Sequence, residues 1–279
     1  MRRYCLSLLI FSLVSCGPSG PPPIKPGTPA YFWQSALENY NKGDYARTAD
    51  FLGRILKSEN DFTARARVMN LVVTAGLVEA YRELAERYEY GISNNKNNPG
   101  ALRRRLADYR SMAGNLSKQL GESYGEFTKA MPQGDVSLEF PYPARASLTM
   151  PPQMSRIAEG QILPDSDVEA VTSQMLQRGV LQQVGSAVGA AGDAAKAKNI
   201  FSSTPVKVER KTFELSMAKV LHPASALFGP RKRAEPAVQE FLLNHAATAI
   251  GAAGSDKEAK DLKAKIEKDQ KDLQARRRT

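Results

Sequence analysis

The sequence predicts an all-α protein. Over residues 32–131 apolar side chains return every three or four positions, which is the spacing of one face of an α-helix. The pattern is cleanest over residues 102–131, which predict one long helix. The alternation typical of a strand is limited to residues 136–140. We therefore expect repeat-like helical hairpins and a long helix, followed by a second helical layer, the two parts being joined by a proline-rich extended segment.

Residues 1–15 have the composition of a secretory signal peptide. Arg2 and Arg3 give a positive start, residues 5–14 are almost entirely apolar but too few to span a bilayer, and the small residue Ser15 precedes Cys16. Loss of this segment removes Arg2 and Arg3 and lowers the formal net charge from +10 to +8. It also removes Cys5 and leaves Cys16 as the one cysteine, so a disulfide or a zinc site built on cysteine is excluded.

Residues 13–16, Leu-Val-Ser-Cys, resemble the lipobox of bacterial lipoproteins. The resemblance implies cleavage between Ser15 and Cys16, a diacylglyceryl group on the Cys16 sulfur, and a fatty acyl group such as palmitate on the new amino group. Gly17 in place of Asp resembles the signal that sorts lipoproteins to the outer membrane of a two-membrane cell. The expected location is the cell envelope, lipid-anchored and facing the periplasm, with the inner membrane left open. The alternative is an ordinary signal peptide with a chance cysteine.

Residues 16–29 are the lipidated cysteine and a proline-rich tether. The stretch GPSGPPPIKPGTP has no apolar face to bury and is stiffened by proline, so we expect it to be semi-extended. Thr28 and Pro29 then predict a helix start, with Thr as the N-cap and Pro at the first helical position.

Residues 30–131 are the predicted N-terminal helical domain, which begins with a helical hairpin. The first helix of the hairpin has a large residue at Phe32, a small one at Ala36 and an aromatic one at Tyr40. A turn follows at residues 43–45, and the second helix has large residues at Leu52 and Ile55. This pattern over residues 32–56 resembles a tetratricopeptide repeat, although Thr48 replaces the alanine expected at the closest helix contact. The resemblance implies a concave helical surface that grips a peptide or another protein without catalysis.

The same resemblance gives candidate binding residues. Residues 62–90 have the length of a second hairpin, broken at Gly76, and the long helix after Pro99 would complete the stack. Four tyrosines lie along these helices and are the candidate partner groove: Tyr40, Tyr45, Tyr81 and Tyr88.

Residues 132–163 change in character. Val136, Leu138 and Phe140 predict one short strand, and the prolines that follow predict an extended connection. We expect this linker either to drape over the first helical layer or to bind a partner.

Residues 164–254 predict a C-terminal helical region, either a second layer or a separate small domain. Ser166 and Glu169 have capping-box spacing, and two further helices are expected near residues 208–221 and 236–253. The small residues after Gly185 indicate either a frayed helix or close helix contacts.

Residues 255–279 predict a charged C-terminal helix, started by a capping box at Ser255 and Glu258. Its apolar stripe is narrow and consists of Leu262, Ile266 and Leu273. Pairs such as Asp261–Lys265 and Glu267–Lys271 are spaced for ion pairing within the helix. We therefore expect a solvated helix, with a partner-binding or coiled-coil role as the alternative.

The sequence carries little catalytic chemistry. His222 and His245 are its two histidines, and neither an HExxH nor a Walker-type motif occurs. The basic clusters are short and scattered without aromatic stacking motifs, which argues against nucleic acid. We therefore expect no enzyme activity, no cofactor and no metal.

The favoured function is a membrane-anchored scaffold that binds another envelope protein or peptide in envelope assembly or maintenance. An enzyme acting on cell wall or polysaccharide through dispersed carboxylates, and a structural spacer without a specific ligand, are the alternatives. The oligomeric state is left open.

Overall fold

The computed structural model describes residues 24–278 except 96, 98, 144–146 and 231. This part of the chain contains ten α-helices and a two-stranded sheet, so the all-α prediction is confirmed. No helix within it is both long enough and apolar enough to cross a membrane. The signal peptide, Ser15, Cys16 and the tether up to residue 23 lie outside the described residues.

The first hairpin is formed by α1 (Pro29–Lys42) and α2 (Tyr45–Ile55). The Thr28 hydroxyl accepts a hydrogen bond from the Tyr31 amide at 3.3 Å, which confirms the predicted N-cap. Gly43 ends α1 with a φ of 79°, a conformation that glycine adopts without strain. The Thr48 hydroxyl donates to the Asp44 carbonyl at 2.8 Å, so a polar side chain fits at the tight helix contact.

The predicted break at Gly76 is wrong. A single helix, α3 (Thr63–Asn94), runs through it, so residues 62–90 are not a second hairpin. Gly76 marks the place where α6 crosses α3: a Cβ at this position would lie 2.5 Å from the Val180 Cα and 2.8 Å from the Gly179 carbonyl oxygen. The close packing compensates for the helix propensity that glycine loses, about 1 kcal/mol relative to alanine.

The long helix is confirmed as α4 (Gly100–Ala130). It packs along α3, and this is the most extensive helix pair in the fold.

The segment after α4 contains the predicted strand but is not extended throughout. Strand β1 (Val136–Leu138) pairs antiparallel with β2 (Val206–Val208). A short helix, α5 (Gln153–Ala158), begins directly after two prolines, which are tolerated because they lie before the helix and not inside it. The side-chain amide of Asn94 donates to the Ala158 carbonyl at 2.7 Å and holds α5 against the end of α3.

The C-terminal half supplies five more helices: α6 (Asp165–Ala187), α7 (Ala194–Ile200), α8 (Arg210–Ser225), α9 (Pro236–Ala252) and α10 (Lys257–Arg278). Both predicted capping boxes are wrong. Helix α6 starts after Pro164 without a side-chain cap, and Asp256 caps α10 by accepting from the Ala259 amide at 2.8 Å.

Helix α10 is not solvated on all sides. Its stripe of Ala259, Ile266 and Leu273 is buried, and Ile266 is 0% exposed, because α9 and α8 cover it. The sequence of α10 alone does not show how deeply this stripe is buried, because the side chains that cover it belong to other helices.

Both halves contribute to one core. The main hydrophobic cluster runs from Trp33 in α1 to Ile266 in α10. A smaller cluster, which includes Leu84, Tyr88, Met154 and Val171, lies where α3, α4, α5 and α6 meet. Helix α3 contributes to both clusters and packs against the hairpin, α4, α5, α6 and α8.

A buried polar network ties α4 to α8. The Glu214 carboxylate, 1% exposed, accepts a hydrogen bond from the Tyr124 hydroxyl at 2.6 Å and pairs with the Arg210 guanidinium, also at 2.6 Å. Arg210 also donates to the Met131 carbonyl at the end of α4 and lies over the Phe127 ring. The buried carboxylate of Glu214 is thus paired with a partly buried guanidinium and hydrogen-bonded, as burial of a charge requires.

Candidate docking groove

An open groove runs over α3 between α2 and α4. It consists of two adjoining parts of about 910 Å³ and 790 Å³, which share Ala46, Tyr81, Met112 and Asn115. Leu77 and Tyr81 of α3 form its floor. Because α2 and α4 both pack on α3, the space between them is left as a trough, which we call the α2–α4 groove.

The α2 wall is formed by small side chains. Ala46, Ala49 and Gly53 recur at helical spacing and leave room for a close approach. A Cβ at Gly53 would have no atom within 4 Å, so the groove is empty at this point.

The α4 wall carries larger and more polar groups. Met112, Asn115, Leu116 and Gln119 line it, and Met112 is 51% exposed, which is unusual for a large apolar side chain of this fold. An exposed Met is adaptable and recurs at binding surfaces. Apolar contact and amide hydrogen bonds are both available to an occupant.

One end of the groove is closed by the second half of the chain. Thr172, Leu176 and Gln177 of α6 line it there, beside Tyr109 of α4. The Tyr109 and Thr172 hydroxyls are 2.7 Å apart, which links the α4 and α6 walls directly.

Charged groups lie at both ends of the groove. At the α1 end Asp50 and Arg54 pair at 2.9 Å, and Lys57 lies beyond them. At the α6 end Lys42, Asp108 and Glu169 line the rim. The middle is apolar and amide-lined, so the groove has no dominant sign of charge.

The four predicted groove tyrosines are not all in the groove. Tyr45 and Tyr81 line it, although Tyr45 is buried. Tyr40 is 1% exposed and packs its ring 5.7 Å from the Phe140 ring, so its assignment to a docking surface is wrong. Tyr88 is buried in the smaller core cluster, 5.3 Å from the Tyr109 ring, and is also a packing residue.

Burial raises the pKa of the tyrosine hydroxyls. The pKa of Tyr40 is well above its ordinary value because burial disfavours the phenolate, and the neighbouring Tyr45 adds to the effect. Burial likewise raises the pKa of Tyr81. These groups stay neutral and serve packing rather than acid–base chemistry.

The histidines have structural partners. The His222 Nε2 lies 2.9 Å from an Asp269 oxygen and joins α8 to α10. His245 packs edge-to-face against Phe241 at 4.5 Å and against Tyr124 at 5.6 Å. Burial, with a contribution from Lys129, lowers the pKa of His245.

One acidic residue with a raised pKa lies outside the groove lining. Burial raises the pKa of Glu79 against the opposing effect of Arg82, which pairs with Glu79 at 2.6 Å. In the described part of the chain no group of three or more His, Cys, Asp or Glu side chains could hold a metal ion.

The chain matches no family model, no curated protein and no solved structure. The functional assignment therefore rests on the groove and on the sequence signals.

Proposed function

We propose that this protein is a lipid-anchored periplasmic scaffold that holds another envelope protein or peptide in the α2–α4 groove, in envelope assembly or maintenance. The observation that carries the proposal is the groove itself, with an apolar floor at Leu77 and Tyr81 and an unfilled wall at Gly53. The lipobox-like residues 13–16 support the anchor.

The dimensions of the groove support a segment of protein as its occupant. Its α4 wall extends from Arg105 to Gln119, a distance of about 21 Å at 1.5 Å per residue. This length accommodates about 14 residues of helix or about six of extended chain. The groove would hold its partner by apolar contacts flanked by amide hydrogen bonds, the usual anatomy of a peptide site.

An enzyme is the second candidate, because Asp108 and Glu169 both line the α6 end of the groove. A deep cleft that isolates two acids from water would favour it. The open trough lined by Phe32, Tyr81 and Tyr109 favours the scaffold instead. A spacer without a ligand is disfavoured by the length of the groove and by its apolar floor at Leu77 and Tyr81.

Filling the groove at Gly53 tests the proposal. Gly53→Phe places a ring in empty space and replaces the poorest helix former apart from proline, so the fold is expected to be at least as stable. Partner peptides crosslinked in cells to the groove lysines Lys42 and Lys57 are counted by mass spectrometry. Their yield is expected to be about tenfold lower in the variant than in the wild-type protein, which corresponds to roughly 1.4 kcal/mol of binding free energy.

Gly251→Phe is the matched control. Gly251 lies in α9, also with no atom within 4 Å of an added Cβ, but away from the groove. Equal crosslinking by the wild-type protein and both variants would reject the groove as the binding site.

The anchor is tested by Cys16→Ser. Two or more acyl chains at about 0.8 kcal/mol per buried methylene hold a protein on a membrane persistently. We expect the wild-type protein to stay with membranes washed in about 1 M salt, which screens charge contacts, and the variant to be released. A mature protein free of lipid, or a variant that stays bound under this wash, contradicts the proposed anchor.

A further inference from the structure

Helix α10 presents a line of lysines to solvent. Lys257, Lys260, Lys268 and Lys271 are exposed, and their spacing places them on one face of the helix. At about 100° per residue this face lies opposite the buried stripe of Ala259, Ile266 and Leu273. We call these four lysines the cationic ridge; it is about 21 Å long at 1.5 Å per residue.

The acidic residues of α10 are partly turned toward the protein body. Glu258 pairs with Lys219 of α8 at 2.7 Å, and Asp269 contacts His222 of α8 at 2.9 Å. These two carboxylates are used to dock the helix. Two acidic side chains of α10 therefore face the protein body, whereas the four ridge lysines face solvent.

The ion pairs that the sequence predicts do not neutralise the ridge. Among the described residues neither Asp261–Lys265 nor Glu267–Lys271 forms an ion pair. Lys263 and Glu267 lie 4.0 Å apart, beside the ridge. Asp261, Glu267 and Asp272 lie along the flanks. Apart from Glu258, Asp269 and Arg277, which contact α8 or α9, basic side chains outnumber acidic ones by seven to three over residues 257–277. The outward face is therefore net positive.

We propose that the cationic ridge binds the surface of a bilayer that contains anionic lipid, with α10 lying parallel to it. A straight line of lysines with little relief is complementary to a flat anionic surface. Ala264 and Ala275 are the apolar residues on this face, so no large side chain is available to insert into the bilayer or to fill a pocket on a protein partner. The contact is electrostatic. It does not depend on the lipid anchor, although the two would together orient the protein on a membrane.

Vesicle sedimentation tests the proposal on the full mature chain, residues 16–279, with Cys16→Ser to exclude acylation. Vesicles of phosphatidylcholine are compared with vesicles that also contain phosphatidylglycerol. We expect binding to the anionic vesicles alone, and a loss of that binding between about 0.05 M and 0.5 M salt as screening shortens the range of the charges.

The ridge variant carries Lys257→Gln, Lys260→Gln, Lys268→Gln and Lys271→Gln, since Gln has a helix propensity close to that of Lys. Each basic side chain near an anionic surface strengthens binding about fivefold, so we expect the loss of four to lower the affinity about 600-fold, or nearly three orders of magnitude. The control carries Lys129→Gln, Lys198→Gln, Lys207→Gln and Lys232→Gln, four exposed lysines outside α10 and outside the α2–α4 groove, which gives the same net charge. The control is expected to bind nearly as well as the parent protein.

Circular dichroism establishes that both variants remain folded. Three results would overturn the proposal: no binding of the parent protein to anionic vesicles at low salt, an equal loss in the ridge and control variants, or binding that salt does not weaken. Tighter binding of the parent protein to soluble polyphosphate than to vesicles would also overturn it, because the ridge would then be a site for anionic polymers.

Discussion

Glu214→Gln is expected to lower the free energy of unfolding by about 3–5 kcal/mol, the usual result of breaking a buried ion pair. The substitution leaves the Arg210 guanidinium without its carboxylate in a site that is largely closed to water. Burial, and then the charge of Glu214, raises the pKa of Tyr124, so its hydroxyl remains the donor to position 214. For a chain of this size the melting temperature measured by circular dichroism is expected to fall by roughly 10 °C.

The control for Glu214 is Glu240→Gln. Glu240 pairs with Arg277 at 2.5 Å, but both side chains are about 40% exposed, so the expected cost is below about 1 kcal/mol. A double variant, Glu214→Gln with Arg210→Met, is expected to lose less stability than the sum of the two single changes. Each single change leaves one charge without its partner, whereas the double variant has removed both charges. Equal effects of Glu214→Gln and Glu240→Gln would show that the buried network adds no stability.

Gly76→Leu is expected to separate α3 from α6 and to destabilise the fold by more than about 3 kcal/mol. The atoms that an added Cβ meets belong to the backbone of α6, and a Cβ at Gly179 would lie 2.3 Å from the Gly76 carbonyl oxygen. Neither backbone can yield as a flexible side chain does. Thermal unfolding measures the loss, and Gly76→Ala should already show part of it.

Gly53→Ala is the matched control for Gly76→Ala. Both glycines are inside helices, where Ala is favoured by about 1 kcal/mol, but Gly53 has open space in place of a neighbour. We therefore expect opposite signs, a gain at position 53 and a loss at position 76. A gain at both positions would contradict the tight crossing of α3 and α6.

Local signals predicted the elements that local forces determine. The N-cap at Thr28, the turn at Gly43 and the long periodic helix α4 follow from the residues at those places. The helix break predicted at Gly76 was wrong because the sequence shows that glycine disfavours a helix but does not show which neighbour requires it. That neighbour is the backbone of α6 at Gly179, about 100 residues further along the chain. For the same reason the narrow stripe around Ile266 did not reveal that α9 and α8 cover it.

Of the four candidate tyrosines, Tyr45 and Tyr81 line the groove. Tyr40, Tyr45 and Tyr88 are buried in core clusters. Met112 was missed because helical periodicity cannot tell a position that faces a packed neighbour from one that faces a gap. The run of small residues in α2, at positions 46, 49 and 53, was the one signal that could have located the groove.

The α6 wall makes the proposed groove depend on residues far apart in the sequence. Thr172 and Gln177 complete the α6 end of a groove whose other walls come from residues before 120. As the chain emerges during synthesis, the hairpin, α3 and α4 come first, but the groove is unfinished until α6 crosses α3 at Gly76. A partner that contacts the entire groove would thus bind only those chains in which α6 is already packed on α3.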